Sequence, residues 1–274
     1  MSLKNLLLAY SGEAAFASSL AHAVRLARHH DAWLTAVMRN GPSYIERFGG
    51  GLTAQLRAQL QNIEEEDVRS AMAQFNAAVS EAGLEKRAEF LSPQKIGATL
   101  PSEMARHYDL VITGFQSDLP GEEHHVASPD LIALRSGRPV VVVPKDYSST
   151  ELADHVLVAW DGKRSAARAL GDAMGILEGK RQVTILTIGK TPPNMPADGG
   201  ILQHLGRHGI ATQHLHKAPE GRSVGSVIKD AADEQGAKLI VMGAYEHSKF
   251  SQDLFGGVTH EVVRTARVPV FLSH

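Results

Sequence analysis

Two points in the second half of the chain carry residue types that can hold an anion. The run "KLIVMGA" (238–244) is apolar and stops at Gly243. A polar loop follows, and the adjacent Gly256 and Gly257 open a segment of helical character. Glycine lets backbone N–H groups come close to a ligand, and the unpaired N–H groups and dipole at a helix N-terminus favour negative charge. Ser248 and Thr259 add hydroxyl donors before and after the pair. Glycine pairs also serve turn geometry alone, so two readings stand here: a phosphate cradle or a tight turn. A carboxylate supplies the other half of a site. The first apolar run of the second half ends in "AWDG", which puts Asp161 at a strand's carboxyl end with Gly162 turning the chain behind it. That carboxylate can accept from a ligand's amine, hydroxyl or ring N–H. Asp at such a place also caps helices, and one is expected to start near Arg164.

Residues for covalent or metal chemistry are poorly framed. The chain has 14 histidines and no cysteine, so thiolate, disulfide and Cys-ligated metal chemistry are excluded. His204 and His208 have the spacing of a helical pair, and His214 and His216 share one face of an expected strand. None has a carboxylate at ligand spacing or an H-E-x-x-H frame. There is no G-x-S-x-G and no Walker lysine. His247 and His260 are the only bases near Gly256. No catalytic residue is assigned, and no metal is expected other than Mg²⁺ accompanying a nucleotide.

The elements that position these residues occur twice. "NLLLAYSGEAAFASSLAHAVRLA" begins at Asn5 and "HVLVAWDGKRSAARALGDAMGIL" at His155. Each is an apolar run, a small polar turn and an Ala-rich segment with helical spacing. The halves also end alike, in "RPVVVVP" (138–144) and "VPVFLSH" (268–274). A period of roughly 130–150 residues means a duplicated domain and not a solenoid. The boundaries fall at 1–146 and 151–274, either side of a polar stretch. Strands are predicted at 5–10, 33–38, 87–91, 109–113 and 139–143, and again at 155–160, 183–188, 211–216, 238–242 and 268–272. Helices are predicted at 52–82, 164–178, 197–208, 221–235 and 257–266. Val-, Ile- and Leu-rich strands alternating with helices imply an α/β fold, a parallel sheet doubly wound by right-handed crossovers. Ligands in such sheets sit beyond the carboxyl strand ends, where the winding reverses. The strands "PVVVVP" and "VPVFLS" would be apolar edges if the halves stood apart. They are expected to pair within the chain as a pseudo-dimer, with further homodimerisation open.

Composition sets the outer bounds. Hydrophobic residues make up 43% and charged residues 21%, ordinary for a globular protein. A net charge of −2 gives no basic excess for nucleic acid or an anionic membrane. No apolar run is long enough to span a bilayer, and the start "MSLKNLLLAYSGEAA" lacks the regions of a signal peptide. The expectation is a cytoplasmic protein with neither nucleic acid nor membrane as partner.

These residues resemble the universal stress protein family, in tandem form, over nearly the whole chain. Its nucleotide-binding members carry an aspartate after the first strand and G-x-x-G, nine residues, then G-S or G-T. Asp161, Gly243 and Gly256 match. Glu246 stands at the second glycine and Gly257 at the Ser/Thr position. The resemblance implies five-stranded parallel sheets of order 3-2-1-4-5, of the adenine-nucleotide alpha-hydrolase-like type. It implies a stress-response role, with adenine near Asp161 and the phosphates of ATP or another adenine nucleotide near Gly243 and Gly256. The implied contact set is Asp161, Gly162, Met242, Gly243, Tyr245, His247, Gly256, Gly257, Val258 and Thr259. The substitutions at Glu246 and Gly257 make the expected binding weak. In the first half Ser11 stands where Asp161 stands. The loop after Gly114 carries Asp118, Glu122 and Glu123, which repel phosphate, and only Ser128 matches a phosphate-contacting hydroxyl. That half is expected to hold no conventional nucleotide site. Two other readings stay open: a binder of a non-nucleotide small ligand or a scaffold, and an adenine-nucleotide hydrolase.

Overall fold

The computed structural model describes residues 3–39, 53–115, 129–189, 200–244 and 257–274. The first half runs β1 (Asn5–Ala9), α1 (Glu13–His30), β2 (Trp33–Val37), α2 (Ala54–Glu81), β3 (Ala88–Leu91), α3 (Pro93–Ile96), α4 (Pro101–Met104), β4 (Leu110–Gly114), α5 (Pro129–Ser136) and β5 (Val140–Val143). The second runs β6 (His155–Ala159), α6 (Arg164–Leu177), β7 (Gln182–Ile188), α7 (Gly200–Arg207), β8 (Thr212–Lys217), α8 (Val224–Gln235), β9 (Leu239–Gly243), α9 (Gly257–Thr265) and β10 (Val270–Ser273). The strand ends agree with the apolar runs to within about two residues, because each run is bounded by turn formers.

Each half has strand order 3-2-1-4-5, and all neighbours within a half are parallel. The two orders are not separate sheets. β5 pairs antiparallel with β10, with Val141 opposite Phe271, which makes one mixed sheet of ten strands. Each strand supplies the hydrogen bonds that the other's edge lacks.

Helices cover both faces. On one face α1, α2, α6 and α7 close a core that includes Phe16, Phe75, Leu170, Leu205 and Phe271. On the other, α5, α8 and α9 cover Leu7, Leu157, Ile132, Ile228 and Val262. β1 after Asn5, the whole of β4, and β6 and β9 up to their last residue are buried on both sides, which is why they read as apolar runs and not as alternation. The acidic run 63–69 lies on α2 and is solvated apart from Val68 and the partly buried Glu64. α8 is defined at both ends: the Ser223 hydroxyl accepts from the Ser226 N–H (3.2 Å), and Gly236 closes the helix at φ 64°. No described helix is long and apolar enough to cross a membrane.

Candidate functional site

In the second half β6 lies between β9 and β7, so the chain winds one way from β6 and the other way from β9. The carboxyl ends of β6 and β9 therefore flank the reversal point, and Asp161 and Gly243 stand on neighbouring strands there. Gly162 has φ 76°, the left-handed conformation that suits glycine, and turns the chain from β6 towards α6.

Asp161 does not cap α6. The N-cap is Lys163, which makes no side-chain capping bond. The Asp161 Oδ1 instead accepts from the Lys163 backbone N–H at 3.0 Å, a local turn, and Oδ2 lies 3.7 Å from the Lys163 Nζ. The carboxylate is about half exposed (51%) and retains acceptor capacity.

Gly243 has a packing reason to be glycine. A Cβ there would stand 2.5 Å from the Ser165 carbonyl carbon and 2.6 Å from the Ala166 nitrogen, so α6 comes down directly onto the end of β9. Met242 is core, 5% exposed and packed on the α8–α9 face. Trp160, on the opposite face, packs against the other core. Gly257 is the first residue of α9, and a Cβ there meets open space. Val258 is exposed, whereas Thr259 is buried. Tyr245, His247 and Gly256, with Glu246 and Ser248, lie outside the described residues.

The first half builds the same corner differently. The Ser11 hydroxyl is buried and accepts from the Gly114 N–H at 2.9 Å, tying the end of β1 to the end of β4 across the reversal point. A Cβ on Gly114 would meet the Ala15 Cβ at 2.4 Å. Where α6 has Ala166, α1 has the buried Phe16, stacked obliquely on Tyr10 with centroids 5.1 Å apart. Burial, with Asp67 and Glu13 nearby, pushes the Tyr10 hydroxyl up to about 12. A buried serine and an aromatic ring thus stand in the first half where an exposed aspartate and an alanine stand in the second.

Residues 153–274 match the model of the Universal stress protein family. Through this half the chain is similar to that family. A universal stress protein of Synechocystis is 25% identical over 173 residues, which cover 60% of this chain and 57% of that one. The match thus spans little more than half of that relative's length. The crystal structure of a universal stress protein from Archaeoglobus fulgidus aligns over 98% of this chain and 96% of its own with a TM-score of 0.72 at 18% identity. That likeness covers both halves, so the first half shares the fold although the family model does not extend to it.

Among the described residues, the histidines of the second half that pair by spacing have partners of their own. His214 Nε2 and His216 Nδ1 both lie 2.9 Å from the Thr187 hydroxyl, on the face the strand period assigned them. His204 and His208 make an edge contact at 4.9 Å, and His208 lies 3.7 Å from Glu178. Among the described residues no three His, Asp or Glu side chains converge as a metal site. His260 sits on α9 with its ring against Phe115 of the first half, centroids 6.1 Å apart. The packing of Phe16 and Ser165 was missed in the sequence, and Ser11 was placed there without its bond to Gly114. The only signal available was their position in the duplicated stretch, where Ser11 faces Asp161 and Phe16 faces Ala166.

Proposed function

We propose that this is a two-domain stress-response protein, divided at 1–146 and 151–274, that works in the cytoplasm. Its second domain binds an adenine nucleotide weakly, without strong catalysis. The observation that carries the reading is the asymmetry at the reversal points. Asp161 is half exposed just beyond β6, the strand that pairs with β9 and its terminal Gly243, while its counterpart Ser11 is consumed by the Gly114 N–H. Asp161 would accept from the ribose or adenine, and the α9 N-terminus at Gly257 would face the phosphates. Mg²⁺ would enter only with the nucleotide.

Titration calorimetry with ATP tests this. Wild type should bind weakly. Glu246→Gly with Gly257→Ser should tighten binding about ten- to a hundredfold, by removing a carboxylate and adding a hydroxyl donor. The open space at Gly257 accommodates the serine. Asp161→Ala should weaken binding. ATP binding that stays undetectable in the double variant would leave the crevice to a non-nucleotide ligand. One observation favours that second reading: close packing on α6 accounts for Gly243 with no ligand at all.

A further inference from the structure

The segment joining the halves lies against α1, and the seam between them contains polar groups with nothing to bond. Ser18, His22 and Arg25 form one stripe of α1, spaced four and three residues apart. The Ser18 hydroxyl donates to the Lys145 carbonyl, which pins the segment at one end of the stripe. Tyr147 then turns inward, 9% exposed, and meets the His22 ring edge-on with centroids 5.9 Å apart. His22 Nδ1, Arg25 Nε and Nη2 and the Tyr147 hydroxyl are all shielded from solvent without a hydrogen-bond partner. Buried polar groups are rarely left so, because each costs the desolvation it is never repaid.

The identity of these groups says what is missing. Nε and Nη2 form the edge of a guanidinium that takes two oxygens side by side. The tyrosine adds an O–H donor. The histidine is uncharged, since burial, with Arg25 beside it, pushes it down to about 3. The corresponding place in the second half shows the complementary solution. Asp172, which stands where His22 stands, supplies its own carboxylate and accepts from Arg168 Nε at 2.8 Å and the Ser273 hydroxyl at 2.6 Å. The first half keeps donors at this position and has no such carboxylate among the bonds they make.

We propose that Arg25, Tyr147 and His22 form a binding site for a small oxyanion, a carboxylate or inorganic phosphate, under the segment that joins the two halves. The guanidinium edge takes two oxygens, the Tyr147 hydroxyl donates to one of them, and His22 closes the side. Occupancy locks residues 145–147 against α1, so the anion acts as a staple between the first half and the segment that leaves it. The site is separate from the crevice at Asp161 and does not depend on the nucleotide reading.

The test is thermal unfolding of the full chain at constant ionic strength while chloride is exchanged for acetate or for phosphate. Wild type should melt roughly 5–8 °C higher at a hundredfold excess over the dissociation constant. Arg25→Lys keeps the charge but loses the two-donor edge, and should bind about tenfold more weakly. Tyr147→Phe should bind several-fold more weakly and fold normally, since it removes only an unpartnered hydroxyl. A rise with phosphate alone assigns phosphate, and a rise with both assigns the carboxylate-like face. The His22 ring protons, followed by NMR, should titrate at higher pH when the anion is bound, because a negative charge favours imidazolium. An absent shift, or an equal one in Arg25→Lys and Tyr147→Phe, would overturn the site and leave buried water as the partner of these groups.

Discussion

Gly243 and Ser11 show how single atoms decide the packing at the two reversal points of this fold. Adding a methyl group to Gly243 drives it into the backbone of α6, which cannot step aside as a flexible side chain would. Gly243→Ala should therefore cost about 2–3 kcal/mol, measured by urea denaturation. Ser11→Ala strands the Gly114 N–H in a buried place and should cost about 1–3 kcal/mol. Asp161→Ala removes a half-exposed carboxylate from a local turn and should cost less than about 1 kcal/mol, while weakening any ligand. That opposite ranking separates a residue kept for the fold from one available to a ligand. If Asp161→Ala proves as damaging as Ser11→Ala, the aspartate is structural and the proposed site loses its acceptor.

At the scale of elements, the alternation of strands and helices was legible because strands buried on both faces must be apolar throughout. "NLLLA", "LIVMG" and "VVVV" leave little choice. What the sequence did not reveal depends on contacts between distant residues. A serine and a glycine more than a hundred positions apart tie β1 to β4, and no local pattern announces it. The polar joining stretch likewise reads as solvent-exposed, yet Tyr147 is buried on α1. That packing makes α1 an acid-sensitive element. His22 is held down to about 3 in the folded chain by burial, with Arg25 adding repulsion, and it returns to about 6.5 when unfolded. Between these values the unfolded chain binds more protons, so stability is fully present above about pH 6.5 and falls as pH drops towards 3. The loss should approach roughly 4 kcal/mol across that window. His22→Gln should flatten this acid limb in buffers free of oxyanions, and urea midpoints from pH 7 to pH 4 that fall equally in both proteins would place the sensitivity elsewhere.

At the scale of the molecule, the antiparallel β5–β10 pair makes two similar halves into one sheet. Val141 and Phe271 face each other at its centre and both are 1% exposed. An edge with this composition would be unstable in water, so neither half has reason to persist when its partner opens. The chain offers a direct probe, because its two tryptophans are divided between the halves, Trp33 in β2 and Trp160 beyond β6. Fluorescence of Trp33→Phe reports on the second half, and that of Trp160→Phe on the first. The two urea transitions should coincide, as expected for a unit that unfolds together. Phe271→Ala leaves a cavity at the joint and should cost about 3–5 kcal/mol. Both transitions should then move together to lower urea, since neither half persists once its partner opens. Wild-type transitions that are already separated would mean that the shared sheet does not couple the halves. The pseudo-dimer would then be a matter of proximity and not of shared stability.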